Sequence, residues 1–149
     1  MMMTPPALIK DLDLSHHDAR DYAEIGDEGD KKELEKVIDA RDHRLHSDDY
    51  CHAVDKSVQL PFKALCKEAN YPYPEDLMKK LLSDADHYIL VLKFHFNRPR
   101  PYQAAELLGV PFGGGITPSS KSPAYPSGHS AQARMLATVL GRMYPKIKD

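Results

Sequence analysis

An all-α fold follows from three features of the chain. Apolar residues recur at helical spacing in several separate stretches, and glycines and prolines concentrate between those stretches. No run alternates apolar and polar positions with β-branched enrichment, so strand signals are weak. At 149 residues the chain suits one domain with a buried core. Residues 1–149 therefore read as a single helical domain, opening with an arm over residues 1–14 that lies on its surface.

Taken in order, the first element is a short helix after Ser15, ending near Gly26. Asp30 and Glu33 then have the spacing of a capping box, and Leu34, Val37, Ile38 and Leu45 mark one face of the helix that follows. A further helical stretch covers roughly Asp49 to Ala69. Pro61 is expected to break or kink it, because proline lacks the N–H and its ring collides with the preceding turn. Phe62, Leu65, Cys66 and Ala69 continue the stripe beyond that point, and Tyr71-Pro72-Tyr73-Pro74 punctuates the chain.

The longest helix is predicted from Glu75 to about Asn97, where Leu77, Leu81, Tyr88, Leu92 and Phe96 keep helical spacing and Pro99 forbids continuation. Gln103 to Leu108 suggests one short helix closed by Gly109. Val110 to Tyr125, with Gly113-Gly114-Gly115, reads as an irregular loop. The last helix starts at Ser127 or Gly128 and runs to about Tyr144, before Pro145.

Composition narrows the class of partner. A net charge of −2 gives no electrostatic case for nucleic acid or an anionic membrane. The longest apolar run, Tyr88 to Leu92, falls far short of the roughly twenty residues that cross a bilayer. The N-terminal stretch lacks the apolar core and cleavage site of a secretory signal, which predicts a cytoplasmic protein. Cys51 and Cys66 fit no metal or redox spacing and are expected as reduced thiols. His16-His17-Asp18 and His43, His46 and His52 raise the question of a metal, but no ligand set completes a defined geometry. They read as surface histidines, and no metal is assigned.

Chemistry concentrates between positions 93 and 129. Lys93 lies near the end of the longest helix, and Arg100-Pro101 follows seven positions later. Seven residues is close to two helical turns, so both cations can lie on one side. Pro101 biases Arg100 toward an extended backbone, holding the planar guanidinium on a stiff turn where it can meet phosphate oxygens. Pro126-Ser127-Gly128-His129 opens the last helix. Its Ser127 suits an N-cap, Gly128 permits close backbone approach, and the amides there can face an anion. His129 can act as a general acid near neutral pH.

Lys93, Arg100-Pro101 and Pro126-Ser127-Gly128-His129 resemble the first two motifs of the PAP2-type acid phosphatase and vanadium haloperoxidase superfamily. The resemblance covers Lys93 to His129; the rest of the chain shares only helical character. It implies an all-α bundle and a metal-independent phosphatase that hydrolyses phosphomonoesters through a phosphohistidine. Lys93, Arg100 and the Ser127–Gly128 amides would bind phosphate, and His129 would protonate the leaving group. A vanadate-dependent haloperoxidase, and a non-catalytic phosphate- or partner-binding remnant, are the alternatives on the same residues.

The family's third motif, a Ser-Arg followed by His and Asp that supplies the nucleophile, has no counterpart in the twenty residues after His129. The resemblance thus implies a nucleophile segment missing after residue 149 and a bundle incomplete at its C-terminus. Ala131, Met135, Val139, Leu140 and Met143 would then form an apolar patch beside His129, open to solvent or covered by a partner chain or a second copy.

Overall fold

Among the described residues the helical stripes become six α-helices: α1 (Glu28–Asp42), α2 (Asp48–Lys56), α3 (Leu60–Glu68), α4 (Glu75–Phe96), α5 (Pro101–Leu108) and α6 (Gly128–Met143). Short 3-10 turns follow at Pro118–Lys121 and Pro145–Ile147, and no strand occurs among the described residues. The computed structural model describes residues 6–14, 26–113 and 118–148. The helix expected after Ser15, the His16-His17-Asp18 group and Gly114-Gly115 lie outside them.

Several boundaries differ from the sequence reading for identifiable reasons. The cap of α1 sits three residues before the expected one: the Asp27 side chain accepts from the Asp30 amide, and Asp30, buried at the third helical position, accepts from the Gly26 amide. Asp30 is thus the returning partner of the cap and Glu33 has no part in it. Leu45 falls beyond the helix and is 95% exposed, while Leu34 is the buried residue of the predicted face. The stretch from Asp49 to Ala69 is two helices. Ser47 caps α2, and Pro61 stands in the first turn of α3, where its missing N–H costs nothing. Pro101 takes the same position in α5, which begins two residues earlier than predicted.

The molecule is organised around α4 and α6. Gly128 of α6 lies against Ile89 and Lys93 of α4, Gln132 donates to Asp86, and Leu136 and Leu140 join Met78 in the core. Rising numbers on one helix meet falling numbers on the other, so the pair is antiparallel. On α6 the contacts recur every four residues, the spacing of one helical face. At one end the pair is sealed by Val58 and by Cys66 of α3, with Phe62, Leu82 and Ile147 around them. At the other end it opens.

This register departs from the expected stripes. Met78, Ile89 and Lys93 are buried on α4, while Leu77 is exposed and Leu81, Tyr88, Leu92 and Phe96 are only half-buried. On α6 the apolar stripe predicted to need cover divides: Leu140 is buried, Met135 and Val139 are half-buried, and Ala131 and Met143 are exposed. Leu136, absent from that stripe, is fully buried. Residues of α3 and α4 cover most of this face, so the expected patch shrinks to its two ends.

The other side of α4 holds the N-terminal arm. The buried Asp84 carboxylate accepts from the amides of Ala7, Leu8 and Ile9 at 2.8, 2.6 and 2.7 Å. One turn on, the Tyr88 hydroxyl donates to the Ile9 carbonyl at 2.8 Å and accepts from the Leu12 amide at 3.3 Å. These bonds let residues 6–14 lie on the surface without a ladder of their own. Elsewhere α1 packs on α5, where Ala104 and Ala105 permit close approach, and Arg98 pairs with Glu33. Cys51 and Cys66 are unpaired thiols, and burial pushes Cys66 up from its ordinary pKa. No described helix is long and apolar enough to cross a membrane.

The register of α6 predicts that Leu136→Ala costs about 2–5 kcal/mol in urea unfolding, whereas Met135→Ala costs about 1 kcal/mol. Equal losses would put the buried face one residue earlier. The arm gives a second expectation. Three amide donors hold the Asp84 carboxyl below its ordinary pKa, with a smaller contribution from His87. A depressed carboxyl stabilises fully above its unfolded pKa and loses that contribution as pH falls through its folded one. The NMR amide shifts of Ala7, Leu8 and Ile9 should therefore hold through the normal aspartate range and move only below it. In Asp84→Asn they should be displaced at every pH.

Candidate functional site

At the open end of the α4–α6 pair lies a cleft of about 290 Å³. Its floor is one face of α4: Asp86, Ile89, Leu90 and Lys93, spaced i, i+3, i+4 and i+7. The first turns of α6 form the facing wall, through Gly128, His129 and Gln132. The connection from α4 to α5 and the 3-10 turn close the third side with Arg100, Ser119 and Ser122.

Local rules place the two cations. Asn97 ends α4 in the left-handed conformation, at φ 46°, so the chain turns away before Pro99. Arg100 then adopts the expected extended backbone, at φ −70° and ψ 155°, and its amide donates to the Gln103 side chain at 2.8 Å. All five sequence-predicted residues, Lys93, Arg100, Ser127, Gly128 and His129, line the same cleft.

Their partners are not those the sequence suggested. Lys93, only 5% exposed, donates to the Pro123 carbonyl at 2.5 Å. Arg100 donates through Nε to the Ser122 carbonyl and through Nη2 to the Ser119 carbonyl, both at 2.8 Å. Both cations thus hold residues 119–123 against the helices. Neither forms an ion pair among the described residues, and the hydrogen-bond acceptors they meet there are neutral, although the Asp55 carboxylate acts on Arg100 from a distance. Burial first, and the nearby Arg100 second, bring Lys93 down to about 8. Burial also lowers Arg100, opposed by Tyr102 and Asp55, but a guanidinium stays charged. Three donors on an ammonium and five on a guanidinium leave N–H groups for a ligand.

At the start of α6, the Ser127 side chain accepts from the Ser130 amide at 3.2 Å. The Gly128 and His129 amides have no intrahelical partner, as at every helix start. Gly128 proves less constrained than expected. A Cβ there would meet Ile89 Cγ2 at 3.7 Å and Lys93 Cε at 3.9 Å, ordinary contacts rather than a collision. The glycine keeps the cleft open; the fold does not require it.

Two carboxylates complete the site, and sequence reasoning missed both. Asp55 of α2 reaches across the fold, its side chain 9% exposed. It accepts from the Ser119 hydroxyl and lies 3.7 Å from Nδ1 of His129. Nothing in the sequence marks it, because 64 residues separate Asp55 from Ser119. Asp86 was legible: it stands seven residues before Lys93 on the same helix face. It accepts from the Gln132 side chain, and burial raises its carboxyl, against the lowering effects of Gln132 and His129. Among the remaining histidines, His43 bonds the Asp39 carbonyl and His46 stacks on Tyr50. No group of three His, Cys, Asp or Glu residues converges as a metal site among the described residues.

Comparison with family models, with curated proteins and with solved structures returns no match to this chain. The site therefore stands on its own geometry. That geometry predicts that Gly128→Ala leaves the unfolding free energy the same or raises it by up to about 1 kcal/mol, since alanine favours the helix. The added methyl would narrow the cleft beside Lys93, 3.9 Å from its Cε. A folding defect instead would show that the glycine serves packing.

Proposed function

We propose that this chain binds phosphate-type oxyanions as the phosphoryl cradle of a metal-independent phosphomonoester phosphatase of the PAP2 kind. One observation carries the reading: buried Lys93 and neighbouring Arg100 bring positive charge to a cleft with only neutral acceptors as hydrogen-bond partners. An anion placed there gains charge-assisted hydrogen bonds and relieves the repulsion between the cations.

Each residue then has a defined task. Lys93 and Arg100 stabilise the equatorial oxygens as charge shifts during phosphoryl transfer, aided by the Gly128 and His129 amides at the start of α6. Asp55 lies 3.7 Å from Nδ1 of His129, on the side of the ring away from Nε2, the atom that would give a proton to the leaving oxygen. The reaction also needs a nucleophilic histidine in line with the leaving group. His129 is the only histidine that lines the cleft among the described residues. That observation favours a second reading, in which the chain binds phosphate or a phosphorylated partner without turnover. The haloperoxidase alternative uses the same cradle, with vanadate in place of phosphate.

Titration calorimetry with inorganic phosphate and with vanadate tests the cradle. Saturable binding is expected in the wild type, weakened about tenfold or more by Lys93→Ala and by Arg100→Ala. No saturable binding at millimolar anion would sink the proposal. Sustained, His129-dependent hydrolysis of an aryl phosphate would support turnover, whereas binding without it would support the second reading. The lowered Lys93 adds a pH signature. Affinity for sulfate, whose charge is constant near neutrality and above, should fall as pH rises through about 8 and Lys93 loses its proton. Lys93→Arg should abolish that fall, because arginine stays charged throughout.

A further inference from the structure

We propose that the cleft selects phosphomonoesters of small, amine-bearing alcohols, with Asp86 as the residue that recognises the amine. The inference rests on the phosphate-binding reading above and adds a substrate class to it. Its basis is the polarity of the cleft along α4. Lys93 stands at one end of the floor and Asp86 at the other, seven residues apart on one face, with Ile89 and Leu90 between them. Seven residues span about 10 Å along a helix axis. An ester whose phosphoryl group sits against Lys93 and Arg100 therefore points its alcohol along this floor toward Asp86.

Asp86 is prepared for a charged partner. Gln132 holds one carboxylate oxygen, Oδ1, which leaves Oδ2 as an acceptor. The residue is exposed at the far end of the floor, so Oδ2 is open to an incoming cation. An ammonium beside Asp86 would also complete the charge pattern: anion to cation at one end, cation to anion at the other. Esters with long apolar tails fit worse. The floor offers two aliphatic side chains, and a tail leaving past Asp86 would strip water from a carboxylate without replacing its hydrogen bonds.

The test compares 2-aminoethyl phosphate with ethyl phosphate, which differs by the missing amine, using the full chain in titration calorimetry at neutral pH. Inorganic phosphate and 2-hydroxyethyl phosphate serve as further probes. The aminoethyl ester should bind about fivefold tighter than the ethyl ester, the scale of a partly exposed ion pair. Asp86→Asn should bring that ratio to about one, whereas Lys93→Ala should weaken both esters and preserve it. A wild-type ratio of one, or a ratio that survives Asp86→Asn, overturns the amine assignment while phosphate binding still stands. Tighter binding of the hydroxyethyl than the aminoethyl ester overturns it too, because the cleft would then read a hydroxyl. If inorganic phosphate itself fails to saturate, the cradle falls and this inference falls with it.

Discussion

The antiparallel contact between α4 and α6 is the constraint on which the rest depends. The same faces that bury Met78 against Leu136 and Leu140 at one end carry Lys93, Gly128 and Gln132 at the other. A helix is rigid over this length, so sealing the core fixes the positions of the cleft residues several turns away. Core and site are consequently one packing problem. A shift of one residue in either helix would move every site residue by about 100° around its axis.

Electrostatics explains why the loop before α6 is ordered where it is. Residues 119–123 present carbonyl oxygens to Lys93 and Arg100, and Asp55 anchors the same turn through Ser119. Carbonyl dipoles offset part of the cost of burying an ammonium but do not cancel its charge. The lowering of Lys93 shows that shortfall in direction: burial and the nearby Arg100 make its charged form less favourable than in water. Positioning the loop is thus the work these cations do in the fold, and the charge left over faces the cleft.

Because α4 is also held from its other side, the site gains a second support. Asp84 and Tyr88 tie down the N-terminal arm opposite the face that lines the cleft. At the C-terminal end of α6, the Tyr144 hydroxyl donates to the Pro72 carbonyl at 2.6 Å and its ring stacks on Tyr71. Both helices of the central pair are therefore fixed by contacts remote from the cleft.

The sequence alone determined what depends on short range. Helical periodicity, Pro61 and Pro99, and the Ser127 cap were enough to place the described helices within a few residues, and Lys93, Arg100 and His129 were nominated by their local spacing. The exact core faces were harder. Leu77 and Met78, or Met135 and Leu136, are adjacent apolar residues, and only the neighbouring helix decides which of each pair turns inward. Asp55 shows the limit most clearly. It comes from α2, far along the chain, to contact Ser119 and approach His129, and no local pattern encodes that meeting. Tertiary structure also decided the partners of the cations: a buried ammonium takes whatever oxygen packing brings nearest, here the Pro123 carbonyl. Propensity and spacing act between neighbours in sequence, whereas burial and charge pairing act between neighbours in space.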